Sequence, residues 1–433
     1  MKILIKNGRV IDPASKLDRT ADVAVAAGRI VSIGDAGSFS AAKVVDAAGC
    51  IVVPGLVDLA ARLREPGYEH EGMLESEMAA AVAGGVTSLV CPPDTDPVLD
   101  EPGLVEMLKF RAEKLHQSRV FPLGALTRKL EGEILTEMVE LTEAGCVGFS
   151  QAEVSVPSTQ VLQRAFQYAA TFGYSVWLRP QELYLGRGVA ASGSLATRLG
   201  LPGVPVAAET IALYTIFELM KITGARVHVC RLSSAEGVEL VRQAKQQKLA
   251  VTCDVSINSL HLTDNDIGFF DSRARLNPPL RQQRDRDALR AGLADGTIDA
   301  LVSDHTPVDE DAKTLPFGEA EAGATGLELL LSLAVRWGEE SNAGLTRALS
   351  VVTNGPARVL GPALGTLQAS VGQLAHGGIA DVCVFDPKAE WTVTPDGLRS
   401  QGKNTPFAGY PMRGRVRCTI AAGQLAYESG AQA

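Results

Sequence analysis

The chain has 433 residues, of which 46% are hydrophobic and 5% aromatic, and its formal net charge at pH 7 is −9. This length suits two average domains or one large α/β barrel with an appendage. The acidic balance argues against nucleic acid as a partner, and no apolar run approaches the roughly 20 residues of a membrane span. Seven cysteines without a CxxC pair indicate free thiols in a reducing cytoplasm.

Both ends of the chain read as short strands joined by turns. The N-terminal strand candidates are KILIKNGRVI, DVAVAAGRIVSIG and VVDAAGCIVV, and the C-terminal ones are GGIADVCVFDP and VRCTIAAGQLAYE. Asn-Gly, Ala-Gly-Arg and Gly-Cys occupy the places where hairpins would turn. We therefore expect residues 1–54 and 369–433 to build one small composite β-sandwich domain.

Residues 55–368 alternate strand-like and helix-like segments. The strand candidates are GLVDLAARL, VTSLVCP, RVFPLGAL, CVGFS, SVWLRP, RVHVCRL, LAVTCDVS and IDALVSDH. Eight strand–helix units predict a (β/α)8 TIM-type barrel with any site at the C-terminal ends of the strands. The alternative, an open doubly wound sheet, would normally carry a Gly-rich phosphate loop after its first strand, and none is present.

The polar residues that end these strands should face one another across the barrel mouth. They are Arg62 and Arg64, Asp94, Gln151, Arg179, Arg231, Asn258 with Ser259, and Asp304 with His305. A divalent metal needs carboxylates, thiolates or neutral imidazoles, and arginine cannot lose its proton to become a ligand. The six histidines include no HxH or HExxH spacing. We therefore expect neither a metal nor another cofactor.

Several segments together resemble a dihydroorotase of the cyclic amidohydrolase superfamily. They are GLVDLAARLREPG, AGGVTSLVCPPDTDPVLD, LGLPGVPVAAETIAL, RLNPPLR, DGTIDALVSDHTP and GGIADVCVFDP. Active members carry HVHLREPG after the first strand, and the resemblance implies that both metal histidines are replaced here. It identifies the former metal-ligand positions as Ala60, Arg62, Gln151 (or Ala152), Arg179 and Arg231. Only the general-base aspartate survives, as Asp304.

The resemblance also places the substrate contacts of the family. Arg64 and Asn277 are retained, whereas Asp94 stands where the family has an asparagine and so opposes a dianionic substrate. These three residues and His305 are the candidates for a vestigial substrate site or an anion site. Asp304 and His305 form the one plausible acid–base pair left, but an aspartate without a metal is a poor catalyst for amide hydrolysis.

Within this family the chain is most similar to the inactive dihydroorotase-like chain of bacterial aspartate carbamoyltransferase, on the segments REPGY, LVCPPDT and GALTRKLEGE. The resemblance implies a non-catalytic subunit, not an enzyme, which binds and stabilises the transcarbamoylase catalytic chain in pyrimidine synthesis and also self-associates. Two alternatives stay open. One is a dihydroorotase or related cyclic amidohydrolase with an atypical, depleted metal site, and the other is a barrel that senses an anionic metabolite.

Arginines at three former ligand positions invite a structural hypothesis. Arg62, Arg179 and Arg231 would supply the positive charge that a lost metal centre leaves missing, through forked hydrogen bonds. We expect their partners to be Asp304, Asp94 or Glu182. The rival hypothesis is an anion site made by the same arginines with Arg64. His228, within the apolar run VHVCRL, is expected to be a core histidine rather than a ligand.

Overall fold

A computed structural model describes residues 1–430. Strands and helices are numbered in chain order. The strands are β1 Ile3–Asp12, β2 Leu17–Ala26, β3 Arg29–Gly34, β4 Lys43–Asp46, β5 Ile51–Pro54, β6 Leu56–Asp58, β7 Val86–Cys91, β8 Arg119–Pro122, β9 Gly124–Ala125, β10 Phe149–Ser150, β11 Ser175–Leu178, β12 Ala190–Ala191, β13 Gly203–Val204, β14 Arg226–Val229, β15 Val251–Ser256, β16 Ala300–Val302, β17 Val382–Thr392, β18 Pro411–Ala421 and β19 Gln424–Glu428. The helices are α1 Leu74–Ala83, α2 Pro102–Lys114, α3 Met138–Ala144, α4 Thr159–Phe172, α5 Ser194–Leu199, α6 Ala207–Thr223, α7 Ala235–Gln246, α8 Ile257–His261, α9 Gln283–Asp295, α10 Glu310–Thr314, α11 Leu330–Glu340, α12 Leu345–Ser350 and α13 Asn354–Leu360.

The middle of the chain is a closed parallel barrel. Strands β6, β7 and β8 pair in parallel, as do β9, β10, β11, β14, β15 and β16, with β8 and β9 following one another in a single barrel position. The Leu123 amide donates to the Cys91 carbonyl at 2.9 Å, and a parallel bridge between Ala61 and His305 closes the ring. The predicted (β/α)8 barrel is thus confirmed. Its strands are continuous apolar runs, as strands covered on both faces require.

Side chains fill the N-terminal end of the barrel. Val57, Val90 and Trp177 form one buried apolar cluster with Leu360 and Val371, which follow the last barrel strand. This plug leaves the C-terminal ends of the strands as the open face. Because the loops at that end carry the polar residues, any site lies there.

Strands from both termini form one sheet in the order β19-β18-β17-β5-β1-β2-β3, with β4 beside β1. The N- and C-terminal parts meet where β5 pairs antiparallel with β17, with Val53 opposite Cys383. Alternate residues of these strands form a single apolar core that includes Ile5, Val23 and Val384. The predicted sandwich is therefore one continuous sheet with its own core, and both ends of the chain contribute to it.

Two further properties concern the cysteines and the helices. All seven cysteines have free thiols, and all except Cys230 are buried. Across residues 1–430, no helix combines the length and the apolar character that crossing a membrane would require.

One buried carboxylate joins three distant segments of the chain. Glu77 of α1 accepts hydrogen bonds from His305 Nε2 at 2.7 Å, from the Ser400 hydroxyl and from the Gln401 amide at 2.9 Å. Glu77, His305 and Ser400 are completely buried. The carboxylate therefore fastens the first barrel helix to the last barrel strand and to the segment before β18.

Replacing Glu77 tests this junction. Glu77→Ala leaves the two buried side-chain donors, on His305 and Ser400, without an acceptor, and each such donor costs about 1–3 kcal/mol. We expect the free energy of unfolding in urea to fall by at least about 2 kcal/mol. Glu75→Ala, at an exposed position of the same helix, should change it by less than about 0.5 kcal/mol. Equal effects of the two substitutions would contradict the assignment.

Candidate functional site

The open end of the barrel contains a cavity of about 220 Å³ with a densely charged lining. Charged residues reach it from the ends of different strands: Arg62 after β6, Asp94 after β7, Glu153 after β10, Arg231 after β14 and Asp304 after β16. Because parallel strands bring their carboxyl ends to one edge, residues distant in sequence become neighbours here.

The carboxylate of Glu153 lies at the centre of these charges. It accepts hydrogen bonds from Arg62 Nη2 at 2.7 Å, from Arg231 Nη2 and from Asn277 Nδ2 at 2.8 Å, and Arg179 Nε lies 2.8 Å from its Oε2. All three arginine side chains are less than 10% exposed. We call Glu153 with Arg62, Arg179 and Arg231 the mouth cluster.

Two further carboxylates complete the charge balance of the mouth cluster. Arg62 Nε donates to Asp94 Oδ2 at 2.9 Å, and Arg231 Nη1 donates to Asp304 Oδ1 at 3.2 Å. Each of these arginines thus bridges Glu153 and a second acid, using the fork of its guanidinium. The pairing expected with Glu182 is wrong: that carboxylate instead accepts the backbone amides of Tyr184 at 2.9 Å and Leu185 at 2.7 Å.

Arg64, which also lines the cavity, is already bound by neighbouring groups. Its Nε donates to the Pro307 carbonyl at 2.8 Å and lies 2.6 Å from Glu71 Oε2, while its Nη2 lies 3.6 Å from Glu321 Oε1. The retained arginine therefore already has two carboxylates beside it. An incoming acidic ligand would have to displace them.

The ionisation of the mouth follows from burial and these contacts. Burial alone would raise the pKa of Glu153, but Arg231, Arg179 and Arg62 hold it far below its usual range. Burial lowers the pKa of Arg179 to about 10, although Glu153 opposes this shift. Burial also raises the pKa of Asp304, and Arg231 offsets part of the shift. At neutral pH Glu153 and its three guanidiniums are all charged.

Backbone conformation aims several of these side chains. Arg64, Ala152, Arg231 and Asp304 have φ of 63°, 51°, 54° and 52°, a left-handed region that residues other than glycine seldom occupy. Ala152 immediately precedes Glu153, so this turn directs the carboxylate inward. Unusual backbone of this kind concentrates where a fold holds side chains in a functional arrangement.

Of the positions that the resemblance aligns with metal ligands, Arg62 and Arg231 line the cavity, Arg179 reaches Glu153 from outside its lining, and Gln151 and Ala60 lie elsewhere. Gln151 is buried below the mouth, where its Oε1 accepts from the Thr127 hydroxyl at 3.0 Å and its Nε2 donates to the Leu130 carbonyl at 2.8 Å. Ala60 packs partly buried against the apolar cluster inside the barrel. Neither position reaches the mouth cluster, whereas Arg62, Arg179 and Arg231 converge on it.

The expected acid–base pair of Asp304 and His305 does not form. His305 is completely buried, and its Nε2 donates to Glu77. Its Nδ1 accepts from the Gly326 amide at 3.2 Å, so neither ring nitrogen is left for a substrate. The carboxylate of Asp304 instead faces Arg231 in the mouth cavity. The left-handed backbone at Asp304, with a φ of 52°, turns the chain between the two residues and separates their side chains.

His228 is bound within the barrel interior. Its Nε2 and Nδ1 lie 2.8 Å from Asp254 Oδ2 and from Thr252 Oγ1, and its ring lies 4.3 Å from that of Trp177. With Cys230 and Asp254 it forms a group whose ligand-type atoms lie within 4.8 Å of one another. Burial raises the pKa of the Cys230 thiol well above its usual value, which disfavours the thiolate that a metal needs.

The mouth does not fit the metal centre that the sequence resemblance implies for active members. Arg62, Arg179 and Arg231 direct their guanidinium groups into the place where ligands would converge, and a guanidinium has no lone pair to donate. The carboxylate of Glu153 is already fully engaged by them. A cation entering this space would meet three positive charges.

The same geometry disfavours the alternative hypothesis of an anion site. The four guanidiniums of the mouth face the carboxylates of Glu71, Asp94, Glu153, Asp304 and Glu321. The carboxylates of the mouth therefore outnumber its guanidiniums. The mouth contains its own anion, Glu153, in the place where an external one would bind.

Removing the central carboxylate tests the mouth cluster. Glu153→Gln leaves three buried guanidiniums without a counter-charge and should lower the free energy of unfolding at pH 7 by about 3–5 kcal/mol. Because the folded-state pKa of Glu153 is depressed, its contribution is complete above the unfolded-state value of about 4.5 and is lost as the pH falls further. Urea unfolding from pH 7 to pH 3 should show the two proteins converging at acid pH. A pH-independent difference, or the same loss in the exposed Glu131→Gln control, would contradict this account.

The fork of Arg231 can be tested separately. Arg231→Ala removes the guanidinium that joins Glu153 to Asp304 and should lower the free energy of unfolding by about 3 kcal/mol. Arg231→Lys keeps the charge but loses the fork, so it should restore part of this loss. Arg164→Ala, at an exposed position on α4, is the matched control. An unchanged unfolding curve for Arg231→Ala would exclude the structural role.

Comparisons with known proteins agree with this architecture. A family model described as Dihydro-orotase-like matches residues 49–237, and one described as Amidohydrolase family matches residues 204–426. The fold is similar to that of the L-hydantoinase from Arthrobacter aurescens, with a TM-score of 0.87 and 24% identity over 100% of this chain and 97% of that chain.

Relatives over the full length carry two kinds of name. A dihydroorotase-like protein of Pseudomonas aeruginosa is 44% identical over 430 residues, which are 99% of this chain and 100% of that protein. A dihydroorotase of a Geobacter species is 39% identical over 432 residues, with coverage of 99% and 100%. The chain therefore belongs to the dihydroorotase-like family of amidohydrolases.

Proposed function

We propose that this chain is a non-catalytic dihydroorotase-like subunit of the cytoplasm. It assembles with the catalytic chain of aspartate carbamoyltransferase, stabilises it in pyrimidine biosynthesis, and also associates with itself. The observation that carries the non-catalytic part is the mouth cluster. Three guanidiniums bound to Glu153 fill the place where a hydrolytic metal centre would have to form.

The remaining catalytic parts support the same conclusion. Asp304, the former general-base position, is paired with Arg231, and His305 is hydrogen bonded to Glu77. Among residues 1–430, the cavity lining offers no ligand set to hold a metal and lower the pKa of a water molecule, which is how metal-dependent hydrolases make a nucleophile at neutral pH. Without it the barrel has neither a nucleophile nor a base in position.

The substrate contacts are also compromised. Arg64 is held by Glu71 and the Pro307 carbonyl, and Asp94 projects a carboxylate onto the same cavity. A dianionic substrate would meet negative charge at Asp94 and would compete with Glu153 for the arginines. These contacts oppose binding at the old substrate site.

The surface supports an assembly role. Ile211, Tyr214 and Ile222 of α6 are exposed by 45%, 58% and 66%. Apolar side chains grouped on one exposed helix are typical of surfaces that contact another protein. The choice of aspartate carbamoyltransferase as the partner rests on the resemblance of segments such as LVCPPDT and GALTRKLEGE.

A second candidate function is a hydrolase with an atypical metal site. The grouping of His228, Cys230 and Asp254 favours it, because imidazole, thiolate and carboxylate together form a plausible zinc ligand set, and some relatives are named dihydroorotase. Against it, both nitrogens of His228 are already hydrogen bonded.

Metal content and activity separate the two candidates. Elemental mass spectrometry of the purified chain should find less than about a tenth of an equivalent of zinc, and a dihydroorotase assay on the same sample should show no turnover. Near-stoichiometric zinc that is lost in Cys230→Ser, together with turnover, would establish the hydrolase instead.

Partnership needs its own experiment. Size-exclusion chromatography of the chain mixed with a transcarbamoylase catalytic chain from the same organism should give one larger complex, and the melting temperature of the catalytic chain should rise. Ile222→Asp and Tyr214→Asp test whether the exposed face of α6 contributes. Separate elution at micromolar concentration, with no stabilisation, would remove the proposed partner.

A further inference from the structure

A second charged cavity, which shares no lining residue with the mouth cavity, lies where the terminal sheet meets the barrel. It has a volume of about 510 Å³ and lies between β17, β18 and β19 on one side and the start of α11 on the other. We call it the junction cleft and define it by Glu328, Trp391, Arg399, Arg415, Arg417 and Tyr427. Pockets of this size at domain junctions are the usual places for small ligands.

Unpaired cations distinguish this cleft from the mouth. Arg415 and Arg417 alternate along one exposed side of β18, and Arg399 reaches the cleft from the loop before that strand. Within residues 1–430, none of the three has a carboxylate oxygen within 4.0 Å. In a protein with a net charge of −9, three neighbouring guanidiniums without acidic partners are unexpected.

Arg413 provides the contrast on the same strand. It lies on the same side of β18 but outside the lining of the cleft, and its Nη2 lies 3.2 Å from Glu390 Oε1. The arginine beyond the cleft is therefore paired, whereas those inside it have no acidic partner among residues 1–430. Free guanidiniums in a concave surface are suited to phosphate, whose oxygens they bind in pairs.

Aromatic rings hold two of the guanidiniums in place. Arg399 lies 5.1 Å from the ring centre of Tyr427, and Arg415 lies 5.8 Å from that of Trp391. Such contacts restrict a long side chain without using its hydrogen-bond donors.

The acids of the cleft do not cancel these charges. The carboxylate of Glu328 accepts the backbone amides of Arg399 at 2.7 Å and Ser400 at 3.2 Å, so it positions the loop rather than a guanidinium. Burial raises the pKa of Glu328 to about 7, which leaves it partly uncharged at neutral pH. Asp396 is the other acid of the lining, so the cleft keeps an excess of positive charge.

We propose that the junction cleft binds the polyphosphate group of a small ligand, with phosphate oxygens held between Arg399, Arg415 and Arg417. The matching chemical class is pyrophosphate or a nucleoside di- or triphosphate. Three guanidiniums suit at least two adjacent phosphate groups better than a single carboxylate, since each can bind two oxygens. This inference does not depend on the function proposed for the barrel mouth.

Titration calorimetry of the full chain with sodium pyrophosphate tests the site directly. At constant ionic strength we expect one saturable event with a Kd on the order of 0.1 mM. The double substitution Arg415→Gln and Arg417→Gln should raise this Kd at least about tenfold. Arg413→Gln, the matched control on the same strand, should change it by less than about twofold.

Titrations with other ligands show whether the site recognises a nucleotide or a free polyphosphate. Adenosine triphosphate binding about fivefold tighter than pyrophosphate would indicate a nucleotide, whereas equal affinities would indicate the free polyphosphate; both support polyphosphate recognition. Sodium sulfate at equal ionic strength should not compete. No saturable binding up to about 10 mM, equal competition by sulfate, or an equal loss in Arg413→Gln would overturn the proposal.

Discussion

The ion pairs of three guanidiniums with the carboxylate of Glu153 are the constraint on which the barrel mouth depends. Arg62, Arg179 and Arg231 come from the ends of three different strands, and each side chain is buried. Three like charges in a partly dry space would repel one another strongly without a shared anion. Glu153 supplies that anion, and Asp94 and Asp304 take up the outer donors.

Two other features of the fold keep these paired charges at one end of the barrel. The plug of apolar side chains closes the other end of the barrel, so the strands can present polar groups at one end only. Glu77 then fixes the last barrel strand to the first helix through His305, which removes the remaining histidine of the mouth from solvent. A histidine that could have served as a base thus contributes to holding the barrel together.

The sequence predicted the barrel well because each strand is a continuous apolar run, and it predicted the convergence of the arginines because each follows such a run. The sequence did not predict the role of Glu153, since this residue lies beyond its strand in irregular chain. Its inward direction depends on a left-handed turn at Ala152, and the sequence has no glycine there to indicate such a turn. The expected pairing of Glu182 with an arginine was wrong because nearby backbone amides bind its carboxylate. The expected pairing of Asp304 with His305 was wrong because a left-handed turn at Asp304 separates the two side chains.

The shared carboxylate also has an evolutionary consequence. Changing any one arginine of the mouth cluster to histidine would remove a counter-charge from Glu153 without creating a metal site, and changing Glu153 first would leave the arginines unbalanced. Contacting residues of this kind are strongly coupled, so the effects of their substitutions do not add. Every single substitution toward a metal centre therefore begins with a loss of stability. The coupling within the cluster therefore stabilises the present arrangement of the barrel mouth against single substitutions.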